Sequence, residues 1–289
     1  MDVRSRIEQA LEKAIRRATG SKAPPKIAEA MRYAVFPGGA RVRPRLCLAV
    51  AQACGDDFPA ITDGALAAVE LLHCASLVHD DMPCFDDAAL RRGRPSVHST
   101  FGEPVALLCG DALIVLAFET LALEAIEAPA RIAPLVGAAA RAVGMPGGIT
   151  AGQAWEAEPM IDLVEYHRAK TGALFVGSAM VGALAAGADP HPWRALGERL
   201  GEAYQVADDL RDALSSSEEI GKPVGQDAAH ARPNAVATFG VGETLHRLEG
   251  LVASAIAAIP PCPGADQLVS LIKNEAKRLV PKELAQSAA

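Results

Sequence analysis

The stretch ELLHCASLVHDDMPCFDD, residues 70–87, carries the deciding pattern. It begins inside an apolar run, Gly64–Val78, broken only by Glu70, His73 and Ser76. Such a run reads as a long buried helix. The helix ends at His79, and four aspartates follow within eight residues: Asp80, Asp81, Asp86 and Asp87. Carboxylates that close repel one another unless water or cations neutralise them. Asp80 and Asp86 are six apart, which is off a helical face, but Pro83 between them bends the chain and can bring them together. Acids at the end of a buried helix suggest carboxylates at the mouth of a cavity.

A second cluster, Asp208-Asp209-Leu210-Arg211-Asp212, follows the uncharged Gln205-Val206-Ala207. Asp208 and Asp212 are i and i+4, so they share one helix face. Two such carboxylates suit a hard divalent cation. Mg²⁺ takes oxygen ligands, keeps several waters and is commonly shared with substrate phosphates. Neither cluster has the alternating ligands, central glycine and terminal glutamate of an EF-hand. Basic groups stand nearby in sequence: Arg41 and Arg43, Arg91 and Arg92, Lys170 beside Thr171, and Lys222. Carboxylates that hold metal, with arginine and lysine donors opposite, fit a metal-bridged polyphosphate.

The rest of the chain is helical in pattern. Ala/Leu/Glu-rich segments are separated by short Gly/Pro breaks, and no alternation bounded by hairpin turns is visible. The pattern predicts helices over 3–19, 25–35, 43–53, 61–81, 104–126, 130–143, 162–186, 192–213, 234–239, 242–259 and 263–279. No linker, repeat or composition shift divides the chain, so one all-α domain over 1–289 is expected. Half of the 289 residues are apolar and only 4% are aromatic, which implies an aliphatic core. With 28 basic against 35 acidic side chains, the net charge of -7 argues against nucleic-acid binding, which needs a basic face. The apolar runs Gly64–Val78 and Ala173–Ala188 fall short of the roughly 20 residues of a membrane span and are expected to be core helices. The six cysteines form no CxxC pair, and the charged N-terminal segment has no signal-peptide core. Reduced thiols in a cytoplasmic protein are expected.

At these residues the chain resembles the trans-prenyl diphosphate synthases, the family of farnesyl and geranylgeranyl diphosphate synthases. The likeness runs from about Met31 to Asn234 through GGARVRP (38–44), residues 70–98, GDALI (110–114), GQAWE (152–156), YHRAKTGALF (166–175), YQVADDLRD (204–212) and GKPVGQD (221–227). In detail it is most similar to the geranylgeranyl diphosphate synthases of bacterial carotenoid pathways. The resemblance implies an isoprenoid synthase fold, helices around a central cavity, a homodimer, and Mg²⁺, three ions per site once substrate is bound. It implies that Asp80 and Asp86 hold metal on an allylic diphosphate, with Asp81 and Asp87 in support. Asp208 with Asp212 would hold another ion on the opposite wall, next to Asp209. Arg91, Lys170, Thr171, Gln205 and Lys222 would contact the allylic diphosphate or its developing cation. Arg43, His73 and Arg92 would hold isopentenyl diphosphate.

In the family, bulky aromatics four or five residues before the first aspartate motif stop the chain at farnesyl. Ala75 and Ser76 are small, so the floor should admit a longer product, and geranylgeranyl diphosphate is expected. Three positions depart from the family pattern. Ala40 replaces a lysine that binds isopentenyl diphosphate, and Arg41 or Arg43 is expected to compensate through a bidentate grip. Tyr204 stands where Phe is usual, and Arg232 where Lys is frequent. Alternatives are a farnesyl diphosphate synthase, or a non-catalytic subunit of a prenyl synthase, which Ala40 motivates and two intact aspartate motifs oppose. A class I terpene cyclase would want an aromatic-rich cavity that 4% aromatics supplies poorly.

Overall fold

The first helix shows how the sequence sets its elements. Asp2 accepts from the backbone N–H groups of Arg4 and Ser5 at 2.9 and 3.2 Å, and so caps α1 (Val3–Ala18). Ile7, Leu11, Ala14 and Ile15 recur at helical spacing and are the buried side of α1. The computed structural model describes residues 2–36, 38–214 and 235–279. After α1 come α2 (Pro25–Val35), α3 (Val42–Ala53) and α4 (Pro59–Asp80), the last opened by proline at its first position.

A two-stranded hairpin follows, β1 (Leu90–Arg91) and β2 (Arg94–Pro95). It was not expected from the sequence. Its turn residues Arg92 and Gly93 have φ of 55° and 72°, the left-handed pair of a tight hairpin turn. Next are α5 (Val97–Phe101), α6 (Glu103–Glu124), α7 (Ile132–Val143), α8 (Ile149–Trp155) and α9 (Leu163–His167). The short helices α5 and α8 lie where the sequence pattern predicted no helix. A π-helical turn, Arg168–Gly172, leads into α10 (Ala173–Ala185). The described chain is completed by α11 (Arg194–Leu214), α12 (Ala235–Ala257) and α13 (Ala265–Leu279). The predicted break between 239 and 242 appears as a kink at Gly240, where φ is 78°.

The uncharged α10 lies against α3, α4, α7 and α11 and is buried on most faces. The main aliphatic cluster joins α1 through α4 with α6, α7 and α10. A second cluster, with Phe175, Trp193, Leu196 and Ile272, ties α3, α10 and α11 to α13. A third lies between α11 and α12 around Val206, Leu210 and Leu248. Fully buried side chains such as Leu66, Leu71 and Leu113 each contribute roughly 1.5–3 kcal/mol. The thiols of Cys74 and Cys109, deep in this core, are pushed up to about 12 by burial. All six cysteines are unpaired.

Two features of this packing position the site. Along α4 most side chains are buried after the exposed Pro59 and Ala60; Asp63 and His79 are partly open, and a partly open stripe is formed by His73, Ser76, Leu77 and Asp80. Those positions follow i, i+3, i+4 and i+7, so one line of α4 faces a cleft. Both α4 and α6 are long and apolar enough to cross a membrane by length and composition, longer than the runs that predicted core helices. The most apolar window of α4 is 78% buried within the protein. That of α6 is less than half buried, and its outer face exposes Leu107, Leu108 and Val115.

Candidate active site

The bend at Pro83 brings the first aspartates together. The Asp86 N–H donates to the carbonyl of Asp80 at 3.0 Å, and the Ala88 N–H donates to that of Asp81 at 3.1 Å. Carboxylate oxygens of Asp80, Asp86 and Glu156 thereby lie within 4.8 Å of one another. At that distance each like-charged pair repels by about 3.5 kcal/mol at an effective dielectric of about 20. Three hard oxygen donors at this spacing suit Mg²⁺. Glu156 lies at the end of α8, within the GQAWE segment, and had no assigned role in the sequence reading.

Cations already crowd this group. Lys170 Nζ donates to Glu156 at 2.6 Å and to Asp80 at 3.3 Å. Gln153 Nε2 donates to Asp80 at 2.6 Å, and the Tyr166 hydroxyl to Glu156 at 2.6 Å. Arg91 Nε donates to Asp81 at 2.8 Å, its Nη2 bonds the same oxygen, and it lies 3.7 Å from Asp80. Burial pushes the Asp81 carboxyl up, while Arg91 pulls it down. Asp81 is thus a buried anchor for Arg91. Asp87 points outward, 3.8 Å from His98. Among the described residues, Asp80, Asp81, Asp86 and Glu156 face Arg91 and Lys170, four carboxylates against two cations. The excess negative charge is what a divalent cation would offset.

The second cluster occupies the C-terminal half of α11. Asp208 and Asp212 lie one turn apart, and the Asp208 side chain is 40% exposed. Asp209 is turned inward: it accepts from Gln205 Nε2 at 3.0 Å and from the Ala235 N–H at 2.8 Å. Gln205 in turn accepts from the Thr171 hydroxyl at 2.9 Å. One chain of hydrogen bonds therefore links the π-helical turn, α11 and the start of α12. Lys222 and Arg232 lie outside the described residues.

The GGARVRP segment divides its arginines. A Cβ at Gly38 would collide with the guanidinium of Arg41, and one at Gly39 would come within 2.7 Å of that of Arg92. Glycine here leaves room for two arginines. Arg41 was expected to help grip substrate, but it is 3% exposed and spent on protein carboxylates. It forms a double contact with Glu8, a 2.6 Å bond to Glu70 and one to the carbonyl of Val35. Burial alone would lower its pKa, yet Glu8 and Glu70 more than offset that and hold it above the ordinary arginine value.

Arg43, two residues on, points the other way. Its guanidinium lies over the rings of Phe175 and Tyr204, at 4.7 and 5.8 Å from their centroids. Its Nε is buried without a partner, and it forms no ion pair among the described residues. Burial pushes the Arg43 pKa down. Burial, with Arg43 and Arg92 close by, pushes His73 well below its ordinary value, so the imidazole is neutral. A buried cation without a carboxylate is costly, and a bound anion is the natural partner. Ala75 is buried in the main cluster, while Ser76 is partly open, one turn below Asp80 on the cleft stripe.

Residues 24–254 match the polyprenyl synthetase family. A geranylgeranyl diphosphate synthase of Cereibacter sphaeroides is 56% identical over 285 residues, 99% of each chain. One of Rhodobacter capsulatus is 50% identical over 280 residues, 97% of each. A Helicobacter pylori geranyltransferase, solved with magnesium and isoprenyl diphosphate, superposes with a TM-score of 0.78 at 28% identity, over 95% of this chain and 97% of the other. The helical fold and the acidic cleft agree with these likenesses, and the chain belongs to the polyprenyl synthetase family.

Proposed function

We propose that this chain is a Mg²⁺-dependent prenyltransferase that joins isopentenyl diphosphate to an allylic diphosphate and makes geranylgeranyl diphosphate. The observation that carries this reading is the pairing of two unlike ion sites. Asp80, Asp86 and Glu156 form an oxygen cluster, and Arg43 and Arg92 near neutral His73 form a cationic group that makes no ion pair among the described residues. One suits a metal-bridged diphosphate and the other a second diphosphate. A cyclase has no use for the second. The intact first cluster also speaks against a non-catalytic subunit.

The residues then divide the work. Asp80, Asp86 and Glu156 would hold Mg²⁺, with Asp208 and Asp212 for an ion on the facing wall; bound metal neutralises the allylic diphosphate and makes it a better leaving group. Lys170 and Arg91 sit among these carboxylates and add donors to the departing anion. Gln205 and Asp209 fix Thr171 beside Lys170. Arg43 and Arg92 hold isopentenyl diphosphate so that its double bond meets the primary carbon of the allylic cation. The new C–C bond forms there, and the diphosphate just released accepts the proton. Aliphatic walls keep water from the cation. Ala75 and Ser76 leave space for the lengthening chain, which favours a twenty-carbon product for carotenoid-type synthesis.

We also assign a homodimer working in the cytoplasm. The exposed stripe on α6 with Leu107, Leu108 and Val115 is the surface that a second copy would cover. The function is tested by pyrophosphate release with Mg²⁺. Release that requires both farnesyl and isopentenyl diphosphates supports the reading, whereas release from the allylic substrate alone would mark a cyclase and overturn it.

A further inference from the structure

Ala40, Tyr204 and Arg211 line one cavity of about 260 Å³, together with the apolar Phe175, Leu200 and Ile272 and with Arg45 and Glu275, which neutralise each other in an ion pair at 2.6 Å. Tyr204 and Arg211 are seven residues apart on α11, two turns, and so share a face. Two guanidinium groups flank the Tyr204 ring, those of Arg43 and Arg211, each 5.8 Å from its centroid. Arg43 forms no ion pair among the described residues. Arg211 is held only loosely toward Asp208, at 3.6 Å between partly exposed side chains, a contact of little strength. Across the cavity, the methyl group of Ala40 leaves open the space that a long side chain would fill.

The charge balance shows a need. Isopentenyl diphosphate carries several negative charges, and His73 is neutral, so Arg43 and Arg92 are the cations of that site so far assigned. Arg41, the near neighbour, is committed to Glu8 and Glu70. We infer that Arg211 is a further binding residue for the diphosphate of isopentenyl diphosphate, reaching it through the space beside Ala40. This rests on the prenyl-transfer reading above. It makes α11 bifunctional: Asp208 and Asp212 serve the metal side, and Arg211, on the Tyr204 face, serves the second substrate. Guanidinium suits this place because its planar fork can grip phosphate oxygens bidentately and still stack on the Tyr204 ring.

The test is calorimetric titration of the full chain with isopentenyl diphosphate, without metal or allylic substrate, followed by steady-state kinetics. Arg211→Leu should weaken isopentenyl diphosphate binding roughly tenfold, the loss of about 1.4 kcal/mol. Its KM for isopentenyl diphosphate should rise by a similar factor, with the allylic KM within about twofold of the parent. Arg211→Lys should fall between. The double variant Ala40→Lys/Arg211→Leu should recover most of the lost affinity, because its ammonium enters the same space from the other wall. A merely structural role for Arg211 could not be rescued from the segment before α3. Unchanged binding in Arg211→Leu, an equal rise in both KM values, or no rescue by Ala40→Lys overturns the assignment. The titration reads the site without turnover, so a parent protein that binds isopentenyl diphosphate yet elongates nothing refutes the prenyl-transfer reading alone.

Discussion

At the end of α4, the aspartates meet partners drawn from distant parts of the chain; on α11, the side chains seen to meet Asp208 and Asp209 among the described residues lie one helical turn away. Asp80 is reached by Gln153 and Lys170, 73 and 90 residues downstream. Asp208 has Arg211 at i+3, and Asp209 has Gln205 at i-4. Exposure differs in the same sense, with side chains of Asp80 at 13% and Asp208 at 40%. The α4 wall is set in place by tertiary structure before any ligand arrives. The α11 wall is tied to α12 through Asp209, and at Asp208 it is more open to water. Preorganised charge does more for a transition state than charge that must first be ordered, so the two walls should not be equally sensitive.

The strongest way to break this comparison is to neutralise one ligand on each wall. Asp86→Asn should lower kcat by about 10³-fold, roughly 4 kcal/mol, and Asp208→Asn by about 10²-fold. Equal losses, or a larger loss at Asp208, would remove the distinction. Next in size is a change outside both walls. Arg41→Met leaves Glu70 buried without its cation and should reduce unfolding free energy by about 3 kcal/mol in urea denaturation. Its KM for isopentenyl diphosphate should stay near the parent value, and a selective rise would return Arg41 to the substrate site.

Glu156→Gln sharpens the account of the α4 wall. It keeps the shape, removes one charge from the oxygen cluster and should raise the Mg²⁺ concentration for half-maximal rate roughly tenfold. An unchanged Mg²⁺ requirement would reduce Glu156 to a partner of Lys170. The smallest effect concerns pH. Burial keeps His73 neutral, with Arg43, Arg92, Arg91 and Arg41 reinforcing it, so its folded pKa lies well below the ordinary 6.5. Near and below that pH the unfolded chain binds a proton that the folded chain does not. Stability from this group is therefore complete above about 6.5 and falls as pH drops, by at most about 1.4 kcal/mol per pH unit. His73→Gln should flatten that slope in melts between pH 7 and 5.

Much of this was legible in the sequence, for identifiable reasons. The apolar run into Asp80 and the Pro83 bend are local signals, and they placed Asp80 beside Asp86 correctly. The uncharged run at 173–188 became the buried α10 for the same reason. Glu156 was not legible, because it meets Asp80 only through tertiary packing and its own segment resembles any polar helix end. Arg41 and Arg43 show the limit most clearly. They differ by two positions where the chain enters α3, with Arg41 at φ 53°, so one side chain turns to Glu70 and the other to Phe175 and Tyr204. Residue type could not tell them apart. The hairpin at 90–95 was also missed, since two-residue strands carry no alternation, although Arg92-Gly93 supplies the turn.

The central claim is elongation to twenty carbons in a cleft with a small-residue floor. Its most direct test is the identity of the product. The full chain is incubated with Mg²⁺, isopentenyl diphosphate and, in turn, dimethylallyl, geranyl and farnesyl diphosphate, and the dephosphorylated alcohols are identified by mass. The account predicts geranylgeraniol from all three primers. Farnesol as the end product would contradict the open floor at Ala75 and Ser76, and no elongation from any primer would contradict prenyl transfer itself.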